Sequence, residues 1–141
     1  MGCDIHPIIE VKDKKEQEWE GVANGVYPGR NYVLFGVLAG VRCNATEIDD
    51  PRGLPKDLSF EGKYYFMKED TDDWDSLKEH YHSASFVLFN ELKKHKLGKL
   101  EAQDFGVKTQ FWQKCDFYLM MEALAKKYGA KNVRLVFAFD N

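Results

Sequence analysis

The sequence predicts an α+β fold: a small mixed or antiparallel sheet containing the N- and C-terminal strands, packed by two to three helices, in one globular domain over residues 1–141. Three observations carry this expectation. The opening stretch alternates, with Cys3, Ile5, Pro7, Ile9 and Val11 on one side and Asp4, His6, Ile8 and Glu10 on the other. The closing stretch does the same, setting Leu135, Phe137 and Phe139 against Arg134, Val136, Ala138 and Asp140. Between them, apolar residues recur at helical spacing over about residues 31–40 and 109–128.

Taken in order, the first strand gives way to the charged turn 12–18, and residues 19–23 read as a short returning strand of a hairpin. Asn24-Gly25 and Pro28-Gly29 are turn signals that bring the chain to Arg30. A helix is expected from Asn31, a suitable N-cap, to Gly40, a suitable stop. Residues 44–63 hold no sustained period and read as an ordered loop carrying Arg52 and Asp57 across a pocket, with a plain surface excursion as the alternative. Tyr64 to Met67 suggests a brief strand. Ser83 or Ser85 is expected to cap a helix running from Phe86 to His95. The helix over 109–128 should pack Phe111, Trp112, Cys115, Tyr118, Leu119 and Ala125 on the core and close at Gly129, with Glu122 inside that stripe either pointing inward or, the favoured reading, laying its stem on the core with its head in water or paired to a cation. A chain that ends just after a strand such as 132–141 usually pairs it inside a sheet, and the first strand is the simplest partner.

Composition narrows the function. An apolar share of 44% with 30% charged residues belongs to a soluble globular chain. No apolar run reaches the roughly 20 residues of a membrane span, and no signal peptide is read, so a cytoplasmic protein is expected. The net charge of −3 argues against a protein that coats bulk nucleic acid. Cys3, Cys43 and Cys115 are widely spaced and form no C-x-x-C element, which points to reduced thiols.

Candidate site residues follow from residue chemistry. Asp4 and His6 place a carboxylate and an imidazole on the polar side of an otherwise apolar strand; a turn cap and a satisfied ring are the plain alternative. Sixteen Lys serve for solvation, whereas Arg30, Arg42, Arg52 and Arg134 are the only arginines, a residue whose planar fork suits carboxylates, phosphates and aromatic faces. Arg30 stands at the start of a helix, a favourable place for an anion. His80 and His82 form a His-x-His pair beside Ser83, yet their spacing matches no standard metal signature. The acidic run 69–75 lacks the Gly and terminal Glu of an EF-hand loop. No metal and no cofactor is assigned. With the two ends of the chain paired, Asp140 or Arg134 would face Asp4 and His6.

Several of these segments carry a resemblance. The opening Met-Gly-Cys-Asp-Ile-His, the run Arg30-Asn31-Tyr32 through Leu34-Phe35 to Leu38-Ala39-Gly40-Val41-Arg42, the Arg52-Gly53-Leu54-Pro55 loop, His82-Ser83-x-Ser85 and the closing Phe139-Asp140-Asn141 resemble a family of small bacteriophage proteins that open with this hexapeptide. The resemblance spans nearly the whole chain. It implies a phage origin and work in a bacterial cytoplasm, and it supplies no catalytic residues.

Three functions stand open. In the first, a homo-oligomeric sponge sequesters a small anionic, nucleotide-type ligand, by analogy a host defence signal: Arg30, Arg42, Arg52 and Arg134 take phosphates, Tyr32 and Trp74 stack a base, and Ser83 with Asp4 or Asp140 meets hydroxyl groups. In the second, a hydrolase cleaves a nucleotide or phosphodiester, with His6 or His82 as base or acid and Asp4 orienting the ring. In the third, the polar residues only tie loops to the sheet of a structural or partner-binding protein.

Overall fold

The computed structural model describes residues 2–42, 48, 50–68, 76–94 and 116–141. Cys43, Trp74, the acidic run 69–75, His95, Phe111, Trp112 and Cys115, on which some expectations rested, lie outside the described residues. The alternating segments form strands: β1 (Asp4–Lys12), β2 (Trp19–Asn24), β3 (His82–Leu88) and β4 (Val133–Asp140). They make one four-stranded sheet in the order β2-β1-β4-β3, with every pair antiparallel. Among the described residues four α-helices pack on it: α1 (Tyr32–Ala39), α2 (Phe60–Phe66), α3 (Phe89–Lys94) and α4 (Asp116–Tyr128). The α+β expectation therefore holds, with the first and last strands as the central pair.

Register fixes what each face carries. β1 runs against β4 from Asp4 opposite Asp140 to Val11 opposite Val133. One face collects Ile5, Ile9, Val11, Val133, Leu135, Phe137 and Phe139, which join Phe35, Leu38, Leu92, Phe117 and Met121 in the larger core. The other face reads polar, apolar, polar along its length. Asp4, Asp140 and His6 lie at one end, Ile8, Val136 and Ala138 in the middle under Leu58 and Phe66, and Glu10 and Arg134 at the far end.

The helix signals worked where caps were present. Asn31 Oδ1 accepts from Leu34 N at 3.1 Å, and Gly40, at φ 68°, donates its N–H to Gly36 O at 2.7 Å and ends α1 in the left-handed region. Three expectations need correction. Tyr64–Met67 is no strand, because Ser59 caps a helix there through a 2.9 Å bond from Gly62 N. The segment from Phe86 is still strand: β3 runs to Leu88, and α3 starts only at Phe89, where Glu91 reaches back to accept from Leu88 N at 2.8 Å. On α4 the buried stripe is Phe117, Tyr118 and Met121, and Leu119 turns outward instead of packing on the core; Glu122 is exposed, in line with a carboxylate head in water.

Candidate functional site

β1 outruns its neighbour. Pairing with β2 covers only Ile8 to Lys12, so Asp4 to Pro7 have β4 on one flank and, among the described residues, no strand on the other. Pro7 falls in this edge-like stretch, the part of a sheet that tolerates a residue without an N–H. Where β2 stops, the chain turns away through Gly25, and a cavity of about 300 Å³ opens, lined by Asp4, Ile5, His6, Pro7, Gly25, Tyr27 and Tyr65.

Two paired carboxylates border it. His6 Nε2 lies 2.7 Å from Asp140 Oδ2, and both side chains are 29% exposed. A carboxylate oxygen only accepts here, so Nε2 carries the proton and the neutral ring keeps a lone pair on Nδ1. Among the described residues, Nδ1 has no hydrogen-bond partner. The Tyr81 ring packs at 5.1 Å from the imidazole and is itself backed by Phe66 at 5.8 Å.

Asp4 takes the second pair. Arg30 Nε donates to Oδ1 at 2.8 Å and Nη2 to Oδ2 at 3.3 Å, while the Tyr27 hydroxyl donates to Oδ1 at 2.5 Å. The Arg30 guanidinium first, and the Tyr27 hydroxyl second, hold the Asp4 carboxyl down at about 2. Burial, followed by the bond to that anion, pushes the Tyr27 phenol up. Arg30 lies across Gly2, where a Cβ would stand 2.1 Å from Nη1, so the glycine makes room for the guanidinium. Beside this, Tyr32 OH accepts from Cys3 N at 3.1 Å, and Arg42 stands over the Tyr32 ring at 5.9 Å.

On the β3 side, His82 pairs with Phe139 and stacks near it, with ring centroids 6.2 Å apart. Its Nε2 lies 2.5 Å from Asn141 Oδ1 and its Nδ1 3.0 Å from Ser83 Oγ. His80 packs against the Tyr81 ring instead, at 4.1 Å and tilted by 48°, so the His-x-His pair does not converge. No group of three metal-compatible side chains exists among the described residues.

The two remaining arginines serve the fold. Arg134, 3% exposed, donates from Nε to the fully buried Glu10 at 2.6 Å and from Nη1 to Asp57 Oδ1 at 2.8 Å, beneath the Trp19 ring at 3.9 Å. Arg52 grips both oxygens of Glu91 at 2.7 and 3.0 Å and the Phe86 carbonyl at 3.0 Å, while Gly53 N donates to Ala84 O, so this loop covers the outer edge of β3.

No protein family, curated protein or solved structure matches the chain.

Of the residues singled out in the sequence, Asp4 pairs with Arg30 and His6 with Asp140, with Tyr32 and Arg42 stacked beside Cys3. His82 and Ser83 flank the same end of β4 from its other side. Arg52 and Arg134 stand apart from the cavity. Sequence reasoning missed Tyr27, Tyr65, Tyr81 and Asn141. Tyr27 lies between two turn signals with no period to point it out, and Tyr65 was read as strand; Asp140-Asn141 was visible, but only its first member drew attention.

Proposed function

We propose that the protein takes up one small nucleotide-type ligand in the cavity at the Asp4 end of β1. What supports this is the meeting of Asp4, His6, Tyr27 and Tyr65 on one hollow of about 300 Å³. Tyrosine rings offer faces to a planar base, and Asp4 and His6 offer acceptors to hydroxyl groups. Arg30, held on Asp4 beside the cavity, is the cation at hand for a phosphate. Since Arg52 and Arg134 are committed elsewhere, the reading favours a ligand with few phosphates over a polyphosphate. The phage resemblance implies work in a bacterial cytoplasm, and the sponge for a nucleotide signal of host defence, acting as a homo-oligomer, is an analogy with other small phage proteins. No helix among the described residues is long and apolar enough to cross a membrane.

A second reading, hydrolysis of that ligand, is favoured by the His6–Asp140 pair at 2.7 Å, which leaves Nδ1 as a base beside the cavity. One experiment separates the two. The protein is incubated with cyclic dinucleotides and ADP-ribose derivatives, then heated and extracted. Intact ligand means sequestration, altered ligand means catalysis, and no retention by any member of the panel returns the protein to a structural role. His6→Ala should abolish turnover in an enzyme but spare much of the binding in a sponge, and Arg30→Ala, which removes the cation beside Asp4, should weaken retention in both.

A further inference from the structure

Away from the cavity, Ser83, His82 and Asn141 form a chain of hydrogen bonds with a fixed direction. Asn141 Oδ1 can only accept, so at 2.5 Å it takes the proton of His82 Nε2. In the neutral ring Nδ1 is then a lone pair, and the bond at 3.0 Å to Ser83 Oγ runs from the hydroxyl to the nitrogen. A hydroxyl donating to an imidazole whose other nitrogen is held by a third group has the arrangement that activates a serine. The backbone is consistent with this. Ser83 sits at φ 54°, in the left-handed region that a non-glycine residue occupies at a cost, and the register slips between His82 and Ser85. Such a bulge takes a residue out of the ladder and re-aims its side chain. Ser83 and His82 are both partly exposed.

We propose that Ser83 is a nucleophile for acyl transfer from carboxylic esters, with His82 as its general base and Asn141 as the residue that positions the ring. Ser83 Oγ forms a bond to the ester carbonyl carbon while its proton passes to His82 Nδ1. The ester C–O bond then breaks, and the leaving alkoxide takes that proton. Water, deprotonated by His82, attacks the acyl-serine, releases the carboxylic acid and restores the hydroxyl. This site is independent of the ligand proposed for the cavity.

The test uses an alkyl fluorophosphonate on the full chain, in which Oγ replaces fluoride at phosphorus, followed by intact-mass and peptide mapping. The folded protein should gain one adduct, on Ser83, at a rate lost on thermal unfolding and unchanged in the α4 surface variant Lys126→Ala. Ser83→Gly, which also suits the positive φ, should fold at least as well as the parent and gain no adduct. His82→Ala should slow labelling by roughly a hundredfold. Asn141→Ala should slow it by roughly tenfold, and Asn141→Asp, which keeps an acceptor on Nε2, should restore most of the rate. An adduct on another residue, equal labelling of the unfolded chain, or His82→Ala labelling as fast as the parent would overturn the proposal.

Discussion

His6 and His82 are held through the same ring nitrogen by consecutive residues of β4 and its end: Asp140 takes Nε2 of the first at 2.7 Å, and Asn141 takes Nε2 of the second at 2.5 Å. β4 lies between the strands that bear them, and alternation sends Asp140 to one side and its successor to the other. Both rings are thereby set to the same tautomer, with Nδ1 as the basic atom.

That assignment predicts a spectrum. Nitrogen NMR of the parent, at a pH where both rings are neutral, should show His6 and His82 protonated on Nε2. Asp140→Ala should return only His6 to a tautomer mixture, and Asn141→Ala only His82. If either replacement altered both rings, or neither, the two holdings would not be independent.

At the other end of β1 and β4, the buried Glu10–Arg134 pair should behave as a unit. Arg134→Met leaves a fully buried carboxylate that, among the described residues, only Ser59 N answers, at 2.8 Å, and should cost about 3–5 kcal/mol in urea unfolding. Asp57 loses the same partner but faces water, so it adds little. The double replacement Glu10→Met with Arg134→Met should recover most of that loss, because no charge is then stranded. A single variant costing under about 1 kcal/mol would show that water reaches the pair.

Much of this architecture could be read from the residues alone. Period-two alternation located β1 and β4 and assigned their faces, since only one register buries Leu135, Phe137 and Phe139 together. The Asp4–His6–Asp140 meeting followed from pairing the two ends. Arg134 went astray for a simple reason: in an antiparallel pair the residue six places before Asp140 lands opposite Glu10, and the sequence was read for which face it shares rather than for how far along it falls. α2 was hidden by its aromatic residues. Tyr64, Tyr65 and Phe66 look like a strand, yet Phe66 and Gly62 are buried while Phe60 and Tyr64 lie in water, a four-residue spacing that only the Ser59 cap announces. Side-chain reach across loops, as from Tyr27 to Asp4 or Arg52 to Glu91, leaves no period at all.

Arg52 offers a check on such a long-range tie. Its fork spans both Glu91 oxygens and the Phe86 carbonyl, a geometry that lysine cannot reproduce. Arg52→Lys should lower stability by about 1–2 kcal/mol. Hydrogen exchange should rise at the β3 edge and the start of α3, where Glu91 also takes the Leu88 N–H. Unchanged protection there would mean that the strand edge does not depend on this arginine.

Gly2 gives the most selective handle on the cavity. A methyl group at this position must displace the tip of Arg30, which is flexible and can swing away, so Gly2→Ala should leave the fold intact while parting Arg30 from Asp4. In the parent, Asp4 titrates at about 2 against an ordinary 3.8, so its ionised form favours the folded chain. That contribution is fully present above the ordinary value and is lost as the pH falls through the folded one. Carbon NMR of the Asp4 carboxyl should find the midpoint of Gly2→Ala shifted up toward 3.8 but short of it, since Tyr27 still donates to Oδ1. The acid limb of its stability curve should flatten accordingly. An Asp4 midpoint still near 2 in Gly2→Ala would mean that Arg30 finds another path to the carboxylate, and that the glycine is not what admits it.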